Sequence, residues 1–195
     1  MMRAGSLGAA LATVALIACG HSGAATSGQA AGGCLPGERG FLQASLRGAI
    51  QAELDWHGDT IECEGGARPD GLGIRLSVAG KAPGGQPLRL VFGIAVRPGE
   101  STSRPLPTNL TVIVENQNRV FSTLGDSRCT VESLVQQPLP ATGTAGKTVP
   151  AYRIAARGFC VAPATTLDGA ERLYIDRFDI AALARFTKED LEHVP

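Results

Sequence analysis

Apolar residues recur at every second position through most of the chain, and runs with a helical period are nearly absent. Leu42, Ala44 and Leu46 alternate with Gln43, Ser45 and Arg47. Ile50, Ala52, Leu54 and Trp56 alternate with Gln51, Glu53 and Asp55, and Gly48 suits a hairpin turn between the two runs. The same period predicts strands around Ile74, Leu76 and Val78, around Leu88, Leu90, Phe92, Ile94 and Val96, and around Leu110, Val112 and Val114. A turn at Asn116-Gln117-Asn118 leads into a strand over 120–124, with more strands at 130–135, 152–161 and 173–180. Pro and Gly clusters at 65–73, 83–87, 98–107 and 137–150 punctuate them. About nine strands with one polar face each predict an all-β domain. The expected form is a two-sheet antiparallel β-sandwich of jelly-roll or immunoglobulin-like kind, with a closed β-barrel as the alternative. Only the end departs from this: Thr187, with Asp190 three residues on, predicts a short capped helix through Glu192.

The first residues follow a different rule. Arg3, an uncharged stretch from Ala4 to Ile17 and the small residues after it have the three parts of an export signal peptide. The stretch is shorter than the ~20 apolar residues that a membrane-spanning helix needs. Leu16-Ile17-Ala18-Cys19 resembles the lipobox of bacterial lipoproteins, in which an apolar residue stands three places before an obligatory cysteine and a small one directly before it. The resemblance is confined to this N-terminal segment. It implies removal of residues 1–18, diacylglycerol on the Cys19 thiol and usually acylation of the new amino group. Two or three acyl chains bind a bilayer far more firmly than one, at ~0.8 kcal/mol per buried CH2, so a lasting membrane attachment is expected. Gly20 follows the cysteine in place of an Asp. In a Gram-negative envelope that implies the outer membrane, facing the periplasm or the cell surface; with a single membrane the domain faces outward.

Residues 20–33 (GHSGAATSGQAAGG) are small, polar and aperiodic, and read as a flexible tether with a reach of roughly 20 Å. Residues 34–195 then make one domain, with 137–150 as a long loop. Residues 1–18 hold one charge, Arg3; without them 17 basic residues stand against 18 acidic ones, too balanced for a nucleic-acid or anionic-lipid footprint. Lipid on Cys19 leaves Cys34, Cys63, Cys129 and Cys160, and in an oxidising compartment four cysteines predict two disulfides. Pairing Cys34 with Cys63 and Cys129 with Cys160 is favoured, because each closes a loop of about 30 residues between neighbouring strands. No two cysteines have the close spacing of a zinc-ligand pair, and neither metal nor cofactor is expected.

Candidate chemistry is sparse. Asp55 and His57 share one strand parity while Trp56 takes the other, so a carboxylate and an imidazole would meet on the outer face. His21 falls in the tether and His193 near the C-terminus, which leaves one histidine for the fold to hold, and no G-x-S-x-G elbow is present. Asp168 with Glu171 and Asp176 with Asp179 are the carboxylate pairs that a glycosidase would need across a cleft. Residues 141–148 fit a relaxed phosphate-binding loop, but Pro150 follows where that mechanism requires a helix. Arg75, Arg89, Arg97, Arg153 and Arg157 all fall on the non-core parity and would form a basic face if their strands lay side by side. One Trp and two Tyr are few for stacking sugars. Together these features lead to the expectation of a non-enzymatic, membrane-anchored envelope lipoprotein. It would present a β-sandwich binding surface to a protein partner or an anionic envelope polymer, as an inhibitor or immunity protein does. A hydrolase of envelope polymers with Asp55 and His57 in its site, and a structural or assembly lipoprotein, are the alternatives.

Overall fold

The computed structural model describes residues 34, 35, 40–140 and 149–192. The export signal, the lipobox and Cys19, the tether with His21, the 141–148 segment and His193 lie outside the described residues. Eleven antiparallel strands are formed: β1 Phe41–Gly48, β2 Ala52–His57, β3 Glu62–Ala67, β4 Ile74–Lys81, β5 Pro87–Ile94, β6 Leu106–Val114, β7 Arg119–Ser122, β8 Cys129–Pro138, β9 Ala151–Cys160, β10 Ala164–Thr165 and β11 Arg172–Arg185. Among the described residues one short α-helix, α1 Lys188–Glu192, follows. Its start is the expected reciprocal cap: the Thr187 N–H donates to the Asp190 carboxylate at 2.6 Å, and the Asp190 N–H donates to the Thr187 hydroxyl at 3.1 Å.

The fold is the all-β sandwich that the alternation predicts, with one difference. The strands are hydrogen-bonded into a single continuous sheet folded over into two layers, where two separate sheets were expected. One layer runs β2-β1-β11-β9-β8 and the other β3-β4-β5-β6-β7; β6 also pairs with β8, and β10 bridges β7 to β11. Length is the physical reason. β11 has 14 residues, enough to carry β1 on one side over Leu173–Ala181 and β10 followed by β9 on the other, and β6 likewise carries β8 and then β7.

Between the layers the inward parity of each strand makes one core, in which Leu42, Leu54, Leu76, Leu90, Phe92, Val112 and Phe178 are buried. The Phe92 and Phe178 rings meet with centroids 5.0 Å apart. Trp56 plugs the core as expected, its indole N–H donating to the Lys81 carbonyl at 2.8 Å. At an aromatic or aliphatic side chain each, such burial contributes about 1.5–3 kcal/mol.

The strand bounds depart from the sequence pattern in informative places. Gly48 ends β1 with a φ of 100°, the left-handed backbone the hairpin turn requires, and Ile50 lies in that turn although it is buried. Residues 65–67 were expected to begin a turn but belong to β3, because β3 crosses the backbone of β11 closely: a Cβ on Gly65 would collide with the Leu183 carbonyl. The strand expected over 120–124 stops at Ser122, and Leu124 turns into left-handed backbone with a φ of 49° as the chain leaves for β8. β11 runs on to Arg185, five residues past the expected end, because an extra residue, Asp176, resets its parity opposite Ser45 and Leu46.

Both expected disulfides are present. Cys129 and Cys160 sit directly opposite each other on β8 and β9, while Cys34 ties the segment before β1 to the edge strand β3. Such bonds mark an oxidising, extracytoplasmic compartment, and no helix among the described residues is long and apolar enough to cross a membrane. Replacing Cys129 and Cys160 together by Ser should lower unfolding stability by roughly 3.5 kcal/mol, the chain-entropy value for a loop of this length. Urea denaturation without reductant measures it, and a loss under ~1 kcal/mol would contradict the assignment.

Candidate functional site

On the outer face of the β2-β1-β11-β9 layer the strand register brings Asp55, Gln43, Asp179 and Arg157 into one cross-strand row. Gln43 donates to Asp55 at 2.9 Å, and the His57 Nε2 lies 2.7 Å from the same carboxylate oxygen. These bonds, from Gln43 first and His57 second, hold the Asp55 carboxyl below the usual carboxylate range. Arg157 donates through two nitrogens to Asp179, at 3.0 and 2.8 Å. Two bulges, at Asp176 in β11 and Glu132 in β8, bend this face into an open groove of about 720 Å³. Asp55 and His57 thus lie beside each other on one face of the layer.

The chemistry of that face is nonetheless one of neutralised charge. The side chains of His57 and Asp55 are 54% and 66% exposed, so water screens both. Asp176 is held in a bidentate pair by Arg47 and Glu171 by Arg119, Arg157 donates to one oxygen of Asp179, and Asp168 caps its own turn through Thr166 and the Ala170 N–H. Each carboxylate of the two pairs Asp168 with Glu171 and Asp176 with Asp179 is thus engaged by a neighbour of its own. The five arginines do not form one face. Arg75 and Arg89 lie on the opposite layer, paired with Glu64 and with Glu62 and Glu115. Arg97 is in the β5–β6 loop, and Arg153 stands on β9 between Leu183 and Gln137.

A second concavity has no counterpart in the sequence reading. It is an open groove of about 880 Å³ between the β3–β4 loop, the β5–β6 loop and α1. Leu72, Val96, Pro98, Pro105, Leu106 and Leu191 give this open concavity an apolar part of its lining, and its size is within the range of ligand sites. Both loops are fastened by polar groups. Gln136, 6% exposed on β8, accepts from the Gly99 N–H at 2.9 Å and donates to the Arg97 and Glu100 carbonyls at 2.7 and 2.6 Å. Thr102 and Leu134 add a two-bond bridge at 2.9 Å each. Opposite, Arg68 pairs with Asp70 and with Asp126 of the β7–β8 loop, and Asn109 donates to Asp126. The Leu72 N–H then donates to Asp70 at 3.0 Å, which presents Leu72 with 65% of its surface exposed.

The signal that would have revealed this site is Gln136 itself, a polar residue on an inward position. It was hidden because the bulge at Glu132 shifts the parity of β8. No protein-family model matches the chain, and no curated protein and no solved structure is significantly similar to it.

Gln136→Ala removes the side-chain partner of the Gly99 N–H and the Glu100 carbonyl and one of the two donors to the Arg97 carbonyl, which also accepts from the Glu100 N–H; each group left unpaired costs about 1–3 kcal/mol where water cannot replace it. Amide exchange should accelerate at residues 97–102 well before the core strands; unchanged protection there would contradict the role given to Gln136. The Asp70 carboxyl is held below the ordinary value by Arg68 first and the Leu72 N–H second. A depressed carboxyl stabilises above its unfolded pKa of about 3.9 and loses that contribution as pH falls through the folded value. The Leu72 amide resonance should therefore be steady from neutral pH down to about 4 and titrate only below it; a midpoint above that range would contradict the pair.

Proposed function

We propose that the protein is a non-catalytic binding module of the cell envelope, held to a membrane by lipid on Cys19, which receives a partner protein in the groove between the β3–β4 loop, the β5–β6 loop and α1. The fastening of that groove carries the reading. A buried glutamine and an arginine network are spent on two loops that contribute little to the core, and the effect is to hold an apolar concavity open with Leu72 displayed at its edge. Rigid loops on a stapled scaffold lose little entropy on binding. An exposed leucine beside an apolar floor is the composition of an interface anchor. An inhibitor or immunity protein is one form of such a module.

An anionic polymer is the weaker occupant, since the arginines that would grip it are divided between layers and mostly paired. A hydrolase built on Asp55 and His57 has their 2.7 Å contact in its favour and their exposure against it.

Three variants test the proposal in detergent-solubilised envelopes. Leu72→Asp should reduce recovery of a partner by about ten-fold or more, the effect of losing one buried anchor, while Asp55→Asn leaves recovery unchanged. Cys19→Ser should abolish metabolic labelling with palmitate and release the protein from the membrane fraction. Loss of recovery with Asp55→Asn alone would favour the outer face, and undiminished palmitate label would remove the anchor.

A further inference from the structure

The rim of this groove adds a preference to the binding role proposed above, on which it rests. Around the apolar lining stand four carboxylates, Asp70, Glu100, Glu189 and Asp190, and two guanidinium groups, Arg97 and Arg104. Including the network behind Asp70 leaves the balance unchanged, because Arg68 and Asp126 bring one charge of each sign. The mouth is therefore acidic by two formal charges in a chain whose total is zero. Asp70 is bound to Arg68 and the Leu72 N–H, and Asp190 to the Thr187 N–H. Glu100 has its backbone carbonyl fixed by Gln136 and its side chain at the exposed rim.

We infer that the groove takes a basic, apolar segment of a partner protein, one aliphatic side chain flanked by Lys or Arg. The aliphatic group enters beside Leu72, Leu106 and Leu191, where it replaces water against apolar surface. The flanking cations face the acidic rim, Glu100 above all, where opposite charge raises both association rate and selectivity. Leu191 indicates the kind of side chain the floor accepts, since this leucine of α1 already packs against the core from the groove wall. An acidic polymer or an acidic peptide meets the same rim as repulsion, the opposite of what an arginine-studded face would offer.

Methyl-resonance titration of the full chain in phosphatidylcholine nanodiscs tests this with three blocked pentapeptides: Gly-Lys-Leu-Arg-Gly, Gly-Ser-Leu-Ser-Gly and Gly-Glu-Leu-Glu-Gly. The basic peptide is expected to give saturable shifts at Leu72, Leu106 and Leu191. It should bind about five-fold more tightly than the neutral one at low salt, a margin that narrows as salt is added. The acidic peptide should bind most weakly, and Glu100→Lys should erase the advantage of the basic peptide. Absence of saturable shifts, shifts that grow with protein concentration alone and so report a second copy, or equal affinity for the three peptides would each overturn the inference. Equal affinity together with partner recovery that still depends on Leu72 would overturn the charge preference while leaving the binding role standing.

Discussion

The two layers are held face to face by burial of one parity of side chain from each strand, and the loop-built groove depends on that packing. Phe92 and Phe178 meet at its centre, Trp56 closes one side against β4, and Gly65 lets β3 lie on the backbone of β11. A side chain at position 65 would push β3 outward, and with it the β3–β4 loop that carries Arg68, Asp70 and Leu72. The core thus sets where the loops begin, to within the tolerance of close packing.

Hydrogen bonds then decide where the loops go. A loop of the length of 95–105 has conformational entropy to lose, of order 1 kcal/mol per residue fixed, and the β5–β6 loop buries few side chains to offset it. Gln136 compensates by satisfying three backbone groups at once, and the Thr102–Leu134 bridge continues β8 into the loop. Arg68 does the same for the β3–β4 loop while linking it to the β7–β8 loop. The outer face of the other layer shows a contrasting use of polar groups. There Asp55, Gln43, Asp179 and Arg157 satisfy one another in register on the surface, as a sheet does when one side meets water.

Much of the scaffold was legible because alternation is a direct consequence of strand geometry. Leu42 to Trp56, Ile74 to Val78 and Leu88 to Ile94 declare β1, β2, β4 and β5, the cysteine separations point to the correct pairs, and Thr187 with Asp190 announces α1. What escaped had no period to read. Gly65 and Gly66 look like a turn when they are in fact a close crossing of layers. Asp176 and Glu132 each insert one residue and reverse the parity that follows, which hid the end of β11 and the inward position of Gln136. The groove was illegible for a deeper reason: its lining comes from residues near 70, 100 and 190, brought together only by the fold.

The proposed function places binding at this loop groove and not on the outer sheet face. Photo-cross-linking in the native envelope, with the reactive group placed at single exposed positions over both surfaces, measures that most directly. Cross-links to a partner should concentrate at Leu72, Arg104 and neighbouring positions of the groove and be sparse at Gln43, Glu53 and Arg177. Cross-links concentrated on those three positions of the outer face, with none around the groove, would contradict that placement.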